Sequence, residues 1–175
     1  MLYEPSDDSE LLVKQIKRLV KPKVTVLDMG CGSGILSVEA KKKGGIVLGV
    51  DINNEAVKHT RKLGVKTVLS DLFSKVDGKF DLIVFNPPYL PRDKNEDQES
   101  ATITTGGKEG FEILIRFFKD VKKYLNPNGK IIIVISSLTQ PKKVEEILNK
   151  NKFQFKIIDK KHVFFEDLIV YSISA

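Results

Sequence analysis

Apolar positions in this chain keep two rhythms, one suited to helices and one to buried strands, and they alternate along its length. Residues 9–20 place Leu11, Leu12, Ile16, Leu19 and Val20 on one side of a helix. A short apolar strand over 23–27 ends at Asp28, and a glycine-rich turn leads to a helix over 35–43, stopped by Gly44-Gly45. A second strand over 46–50 ends at Asp51, and Asn53 reads as the N-cap of a helix reaching about residue 63. Strands over 65–69 and 80–85 follow. Residues 86–107 form a long polar loop, which in a compact domain is usually functional. A helix over 109–125, a turn at 126–129, an apolar strand over 130–136, and a helix over 141–149 with Pro141 in its first turn come next. Two last strands, 153–160 and 164–173, are separated by a short lysine-rich turn at Lys160-Lys161.

Strands alternating with helices predict a parallel sheet covered on both faces. The last two strands break the rule, because a parallel crossover needs about a dozen residues. They form an antiparallel hairpin. The expected fold is α/β: a Rossmann-like doubly wound seven-stranded mostly parallel sheet with a C-terminal antiparallel hairpin. Its length, 175 residues, suits one domain over 1–175.

Charge adds little: 29 Lys+Arg against 23 Asp+Glu leave +6, compatible with a nucleic-acid partner or a solvated lysine surface. One cysteine excludes an internal disulfide and makes a cysteine-based metal site improbable. No apolar run approaches the roughly 20 residues of a membrane span, and the N-terminus lacks a signal-peptide core, so a cytoplasmic protein with no membrane partner is expected.

Chemistry concentrates at strand ends, where open α/β sheets bind ligands. Asp28-Met29-Gly30-Cys31-Gly32-Ser33-Gly34 matches neither the dinucleotide pattern G-x-G-x-x-G nor the phosphate-binding loop that ends in Gly-Lys-Ser/Thr. A carboxylate two residues before the first glycine repels phosphate and attracts a cationic amine, which suits S-adenosylmethionine. Asp51 is placed to accept from ribose hydroxyls and Asp71 from an adenine amine. One strand-end aspartate alone is ordinary turn chemistry; three beside a glycine turn outline a nucleoside pocket. Cys31 reads as a small turn residue, and His59 and His162 as surface or structural residues. No metal cluster is evident.

After the fourth strand comes Asn86-Pro87-Pro88-Tyr89. The prolines stiffen the backbone and fix the direction of the Pro87 carbonyl. With the Asn86 side-chain oxygen and an aromatic ring, they suit a planar –NH2 group, either a side-chain amide or the exocyclic amine of a base.

These motifs, together with Ser70-Asp71-Leu72-Phe73 and the opening Tyr3-Glu4-Pro5-Ser6-Asp7-Asp8-Ser9, resemble the HemK-related class I S-adenosylmethionine-dependent methyltransferases. The opening segment resembles their archaeal and eukaryotic branch, as do Gly106-Gly107-x-x-Gly110 and Phe165-Glu166-Asp167-Leu168. The resemblance implies N5-methylation of the glutamine in the Gly-Gly-Gln loop of a peptide-chain release factor. It implies cofactor contacts at Ser9, Asp28, Gly30, Gly32, Asp51, Asp71, Leu72 and Asn86, and catalytic or substrate contacts at Asn86, Pro87 and Tyr89. It also implies a possible heterodimer with a small zinc-binding activator on an edge of the sheet, where the third strand should lie. Adenine-N6 or guanine-N2 methylation of RNA or DNA and protein lysine methylation stay open as alternatives. A non-catalytic methyltransferase-like subunit is disfavoured by the intact glycine turn.

Overall fold

A computed structural model describes residues 6–88 and 111–175. Helix α1 (Asp7–Leu19) precedes strand β1 (Thr25–Met29), helix α2 (Ile35–Lys42), strand β2 (Ile46–Asp51), helix α3 (Asn54–Lys62) and strands β3 (Lys66–Leu69) and β4 (Phe80–Phe85). After the second described stretch begins come helix α4 (Glu112–Asp120), a 3₁₀ turn over Val121–Tyr124, β5 (Leu125–Ser136), a 3₁₀ turn over Ser137–Thr139, helix α5 (Pro141–Lys150), β6 (Gln154–Val163) and β7 (Glu166–Ser174). The seven strands form one sheet in the order β3-β2-β1-β4-β5-β7-β6. The first five are parallel, and β7 runs antiparallel to both β5 and β6.

Period-two alternation builds a core on each face of the sheet. Val26, Leu82, Val84, Ile132 and Val134 point one way, onto Leu11, Leu12 and Ile16 of α1 and Leu36 and Ala40 of α2. Their neighbours Leu27, Met29, Ile83, Phe85, Ile131 and Ile133 point the other way, onto Leu114, Phe117 and Phe118 of α4 and Val144 and Leu148 of α5. Central strands buried on both faces explain the continuous apolar runs in the sequence. On the α4 side the aromatic rings interlock: Phe117 lies with its centroid 4.9 Å from that of Phe85 and 5.3 Å from that of Phe73.

Four local expectations change. Asp28 lies inside β1, with its backbone level with Gly49 and Val84, because β1 pairs on both sides past that residue. The turn expected at 126–129 is an excursion within β5: Phe80 is level with Leu125 and Leu82 with Lys130, while Asn128 takes φ +64°. Asn126 fastens that excursion by donating to the Asp81 carboxylate at 2.8 Å.

The hairpin also turns later than expected, at Phe164-Phe165, with Lys160 and Lys161 inside the ladder opposite Ile169 and Leu168. β6 is an edge strand, where lysines guard against further pairing. These two are also neutralised, Lys160 by Asp167 and Lys161 by Asp7. The helix expected over 109–125 is α-helical only over Glu112–Asp120 and then tightens to 3₁₀. The third strand does lie at a sheet edge.

Candidate functional site

The chain starts in the middle of the sheet, winds outward through β2 and β3, and returns to the other side of β1 as β4. The crevice between the ends of β1 and β4 is therefore the topological switch point, the usual ligand site of such sheets. Met29, Val50 and Phe85 share one level, so Gly30, Asp51 and Asn86 emerge side by side at the next.

The glycine turn is bent back onto β2: the N–H groups of Gly30 and Cys31 both donate to the Val50 carbonyl, at 2.7 and 2.9 Å. Gly30 has φ +70°, and a Cβ there would lie 3.6 Å from the Phe85 ring and 3.9 Å from the Asn86 carbonyl oxygen. The turn and the Asn86-Pro87-Pro88 segment are thus packed against each other. Gly49 lies beneath them without positive φ, where a Cβ would crowd Cys31 at 3.2 Å and Ser37 at 3.3 Å.

Asp28 sits fully buried under this turn. Its Oδ2 accepts from the Ser37 hydroxyl at 2.6 Å, and its Oδ1 has no partner. Burial pushes its carboxyl up to about 6; the Ser37 hydrogen bond opposes this, and the nearby Asp51 charge reinforces it. Asn86 repeats the pattern: its side-chain oxygen is shielded from water and unpartnered. Among the described residues, three buried side-chain oxygens lack a partner, and two of them flank this crevice. Native proteins leave few such atoms, and each asks for an explanation. A carboxylate oxygen able to take a cation and an amide oxygen able to take an N–H thus sit on the two strands that border the crevice.

Asp51 is partly committed. Its Oδ2 accepts from the Gly32 N–H at 2.9 Å and its Oδ1 from the Asn53 N–H at 2.8 Å, so it braces the glycine turn and the start of α3. Burial raises its pKa. Each oxygen keeps a second lone pair for a ligand hydroxyl. Asp71 stands two residues beyond the level of Asp51 and is paired with Arg116 of α4 at 2.6 Å, a partner that the sequence did not signal. Leu72 takes φ +46°, unusual for a branched residue, and packs against the α4-side core.

Ser9 is buried in the first turn of α1, donating from its N–H and hydroxyl to Asp8. That turn is tied through Asp7 to Lys161, level with Leu168 and Ser136, which places it at the same end of the sheet. Pro87 is buried after β4, and Tyr89 lies outside the described residues. Cys31 is buried, and its thiol is pushed far up by that burial and by Asp28 and Asp51, which makes it a packing residue rather than a nucleophile. His162 is hydrogen-bonded through Nδ1 to Asp167 on the hairpin at 2.9 Å. Ser37, Gly49 and Arg116 were missed from sequence; only the glycine inside the second strand carried any signal.

The strand order, the reversed last strand and the acid-flanked glycine turn at the switch point define a class I, Rossmann-like methyltransferase. The methyltransferase small domain family matches residues 5–165, and the chain belongs to that family. Within it, the chain falls with the HemK-related glutamine methyltransferases. It is 41% identical over 178 residues to a Methanocaldococcus jannaschii protein provisionally named protein N5-glutamine methyltransferase, covering 97% of this chain and 89% of that one. It is 33% identical over 175 residues to the release factor glutamine methyltransferase of Fusobacterium nucleatum, covering 85% of this chain and 48% of that longer protein. Its fold superposes with a TM-score of 0.82 and 25% identity on the E. cuniculi Mtq2-Trm112 complex, described as methylating the termination factor eRF1, covering 98% and 97% of the two chains. No described helix is long and apolar enough to cross a membrane.

Proposed function

We propose that this chain transfers a methyl group from S-adenosylmethionine to the N5 side-chain nitrogen of the glutamine in the Gly-Gly-Gln loop of a peptide-chain release factor. The observation that carries this reading is the pair of orphaned acceptors, Asp28 Oδ1 and Asn86 Oδ1, on the two sides of one switch-point crevice. The first suits the cofactor's ammonium group and the second a planar –NH2. The glutamine methyltransferase names of the Methanocaldococcus jannaschii and Fusobacterium nucleatum relatives favour a glutamine amide over a base as the owner of that group.

The residues present fit the cofactor. Asp28 supplies the buried negative charge, Gly30 and Gly32 let the ligand approach the backbone, and Asp51 offers its spare lone pairs to ribose hydroxyls. Asp71, paired with Arg116, and Leu72 would border the base, and Ser9 would close the rim from α1. When bound, S-adenosylmethionine supplies an electrophilic methyl group on a sulfonium.

An amide nitrogen is a weak nucleophile because its lone pair is delocalised. Asn86 Oδ1 accepts one N–H and the Pro87 carbonyl the other, which fixes the nitrogen with its lone-pair face toward the methyl group. Both acceptors gain strength as positive charge grows on that nitrogen, so they favour the transition state over the ground state. Alignment supplies much of the remaining acceleration. Accepting the methyl group would leave the nitrogen cationic, and it would then shed one proton, so no strong base is required beforehand. The resemblance assigns Tyr89 to the amide plane, and that residue lies outside the described ones. A small zinc-binding activator would cover the β3 edge, where Leu69 is exposed.

Asn86→Ala tests the two-acceptor grip. It should lower kcat about 10²-fold or more, the scale of losing one preorganised contact, while cofactor affinity moves far less. Near-normal turnover in that variant would remove the basis for the mechanism.

A further inference from the structure

The tip of the β6–β7 hairpin is built against ordinary turn chemistry. Its two central residues are Phe164 and Phe165, 92% and 96% exposed. Phe164 takes φ +39°, a conformation that bulky residues avoid and that glycine usually supplies in two-residue hairpin turns. Neither folding nor solubility gains from two bare rings on a strained turn. Strain of this kind collects at functional sites.

The base of the tip is tied by polar contacts. Asp167 holds Lys160 at 2.8 Å and His162 at 2.9 Å, and its N–H donates to the Ser137 hydroxyl at 3.0 Å. Lys161 is held by Asp7 of α1. Beside the rings, one shielded oxygen of Glu166 has no partner, the third such atom among the described residues.

The tip also stands at the catalytic end of the sheet. Phe85, the last residue of β4, is level with Ile133, and further along β5 Ser136 is level with Leu168. Three residues from Ile133 to Ser136, and three more from Leu168 back to Phe165, carry the tip about 20 Å past the end of β4 at ~3.3 Å per residue. Two strands, β5 and β7, separate it sideways from β4, about 10 Å at ~4.8 Å per strand. One glutamine side chain cannot span that gap; only a macromolecule can touch Asn86 and the tip together. The cations at the base of the tip are already neutralised by Asp167 and Asp7, which leaves an apolar knob with a spare acceptor. That surface fits a folded protein better than a phosphate backbone. The tip adjoins β6, at the opposite edge of the sheet from β3, so a partner on β3 leaves it accessible.

We infer that Phe164-Phe165 is a docking finger that inserts into an apolar pocket on the body of the protein substrate, away from the loop carrying the reacting glutamine, with Glu166 accepting an N–H beside it. The inference rests on the release-factor reading above and extends it from the reacting group to the domain that presents it.

The test is steady-state methylation of two substrates, the intact release factor and a short synthetic peptide containing only its Gly-Gly-Gln loop, by wild type and by the double variant Phe164→Gly/Phe165→Ser. Glycine suits the turn, so the variant keeps the hairpin, which an unchanged or raised melting temperature verifies. The finger predicts that KM for the intact factor rises about tenfold or more, the scale of losing an aromatic anchor, with kcat unchanged and the peptide's constants within about twofold. An unmoved KM for the intact factor overturns the inference, as does equal impairment of both substrates, which would make the tip part of the fold. Loss confined to methylation of an added RNA assigns the tip to nucleic acid instead. A wild-type dimer that the variant abolishes in sedimentation assigns it to a second copy of the chain. If wild type methylates neither factor nor peptide, the functional reading itself fails and the finger with it; methylation of both without a KM shift removes the finger alone.

Discussion

Asp28→Asn turns the orphaned carboxylate into a measurement. The Asp28 carboxyl lies at about 6, against an ordinary value of 3.8, chiefly because it is buried. A raised acid binds protons more tightly in the folded state than in the unfolded one, so between these two values the fold loses stability as pH rises. By neutral pH the ionised Asp28 costs the ligand-free protein about 3 kcal/mol, at ~1.4 kcal/mol per pKa unit. Asparagine keeps an oxygen for Ser37 and removes the charge, but it leaves a buried N–H2 short of a partner, a cost of about 1–3 kcal/mol that does not depend on pH. The pH dependence is therefore the clean signal. Relative to wild type, the variant gains about 1.4 kcal/mol between pH 5 and pH 7.5. At ~2–4 °C per kcal/mol for a chain of this size, that is a relative gain of roughly 3–6 °C in Tm.

The lowered Asp81, Asp120, Asp159 and Asp167 titrate in both proteins and cancel in the difference, whereas Asp51, whose charge acts on Asp28, belongs to the signal. Calorimetry supplies the other half. Wild type should bind S-adenosylmethionine about tenfold more weakly at pH 5 than at pH 8, because most Asp28 is then protonated, whereas the variant should bind weakly at both. A stability difference that stays flat with pH, or a variant with wild-type affinity, would refute the link between the orphaned carboxylate and the cofactor.

Other perturbations probe the frame around it. Gly30→Ala meets only ordinary contact distances, so its cost is conformational: about 1–2 kcal/mol for φ +70°, read by denaturant melts, with weaker cofactor binding because the turn must shift. Phe117→Ala removes the ring that joins Phe85 to Phe73 and should cost about 3–5 kcal/mol in the same melts.

Much of this fold could be read from periodicity, since strands buried on both faces and one-sided helices leave strong patterns. The errors came where local chemistry misled. Lys160-Lys161 looks like a turn, yet edge pairing and acidic partners hold it in a strand, while the true turn is made of phenylalanines that no propensity would place there. Asp28 looked like a rim residue because a glycine follows it so closely. Pairing on both flanks of β1 buries it instead, and that burial gives the site its electrostatic character. Asp71 was found as a strand-end acid, but its ion pair with Arg116 joins residues 45 apart in sequence, beyond the reach of any local pattern. The opening motif and the glycines at 106–110 were read by resemblance, the 86–107 loop from its polarity and length, and Tyr3, Tyr89 and Gly106 lie outside the described residues.

The central claim is that the crevice grips a glutamine amide. It is tested most directly by incubating the protein with labelled-methyl S-adenosylmethionine, intact release factor, the same factor with its Gly-Gly-Gln glutamine replaced, and RNA, with and without a candidate activator, and then locating the label by peptide mass spectrometry. The account predicts label on the side-chain nitrogen of that one glutamine and none on the substituted factor. Label on RNA or on lysine, with the release factor unmodified, would contradict it.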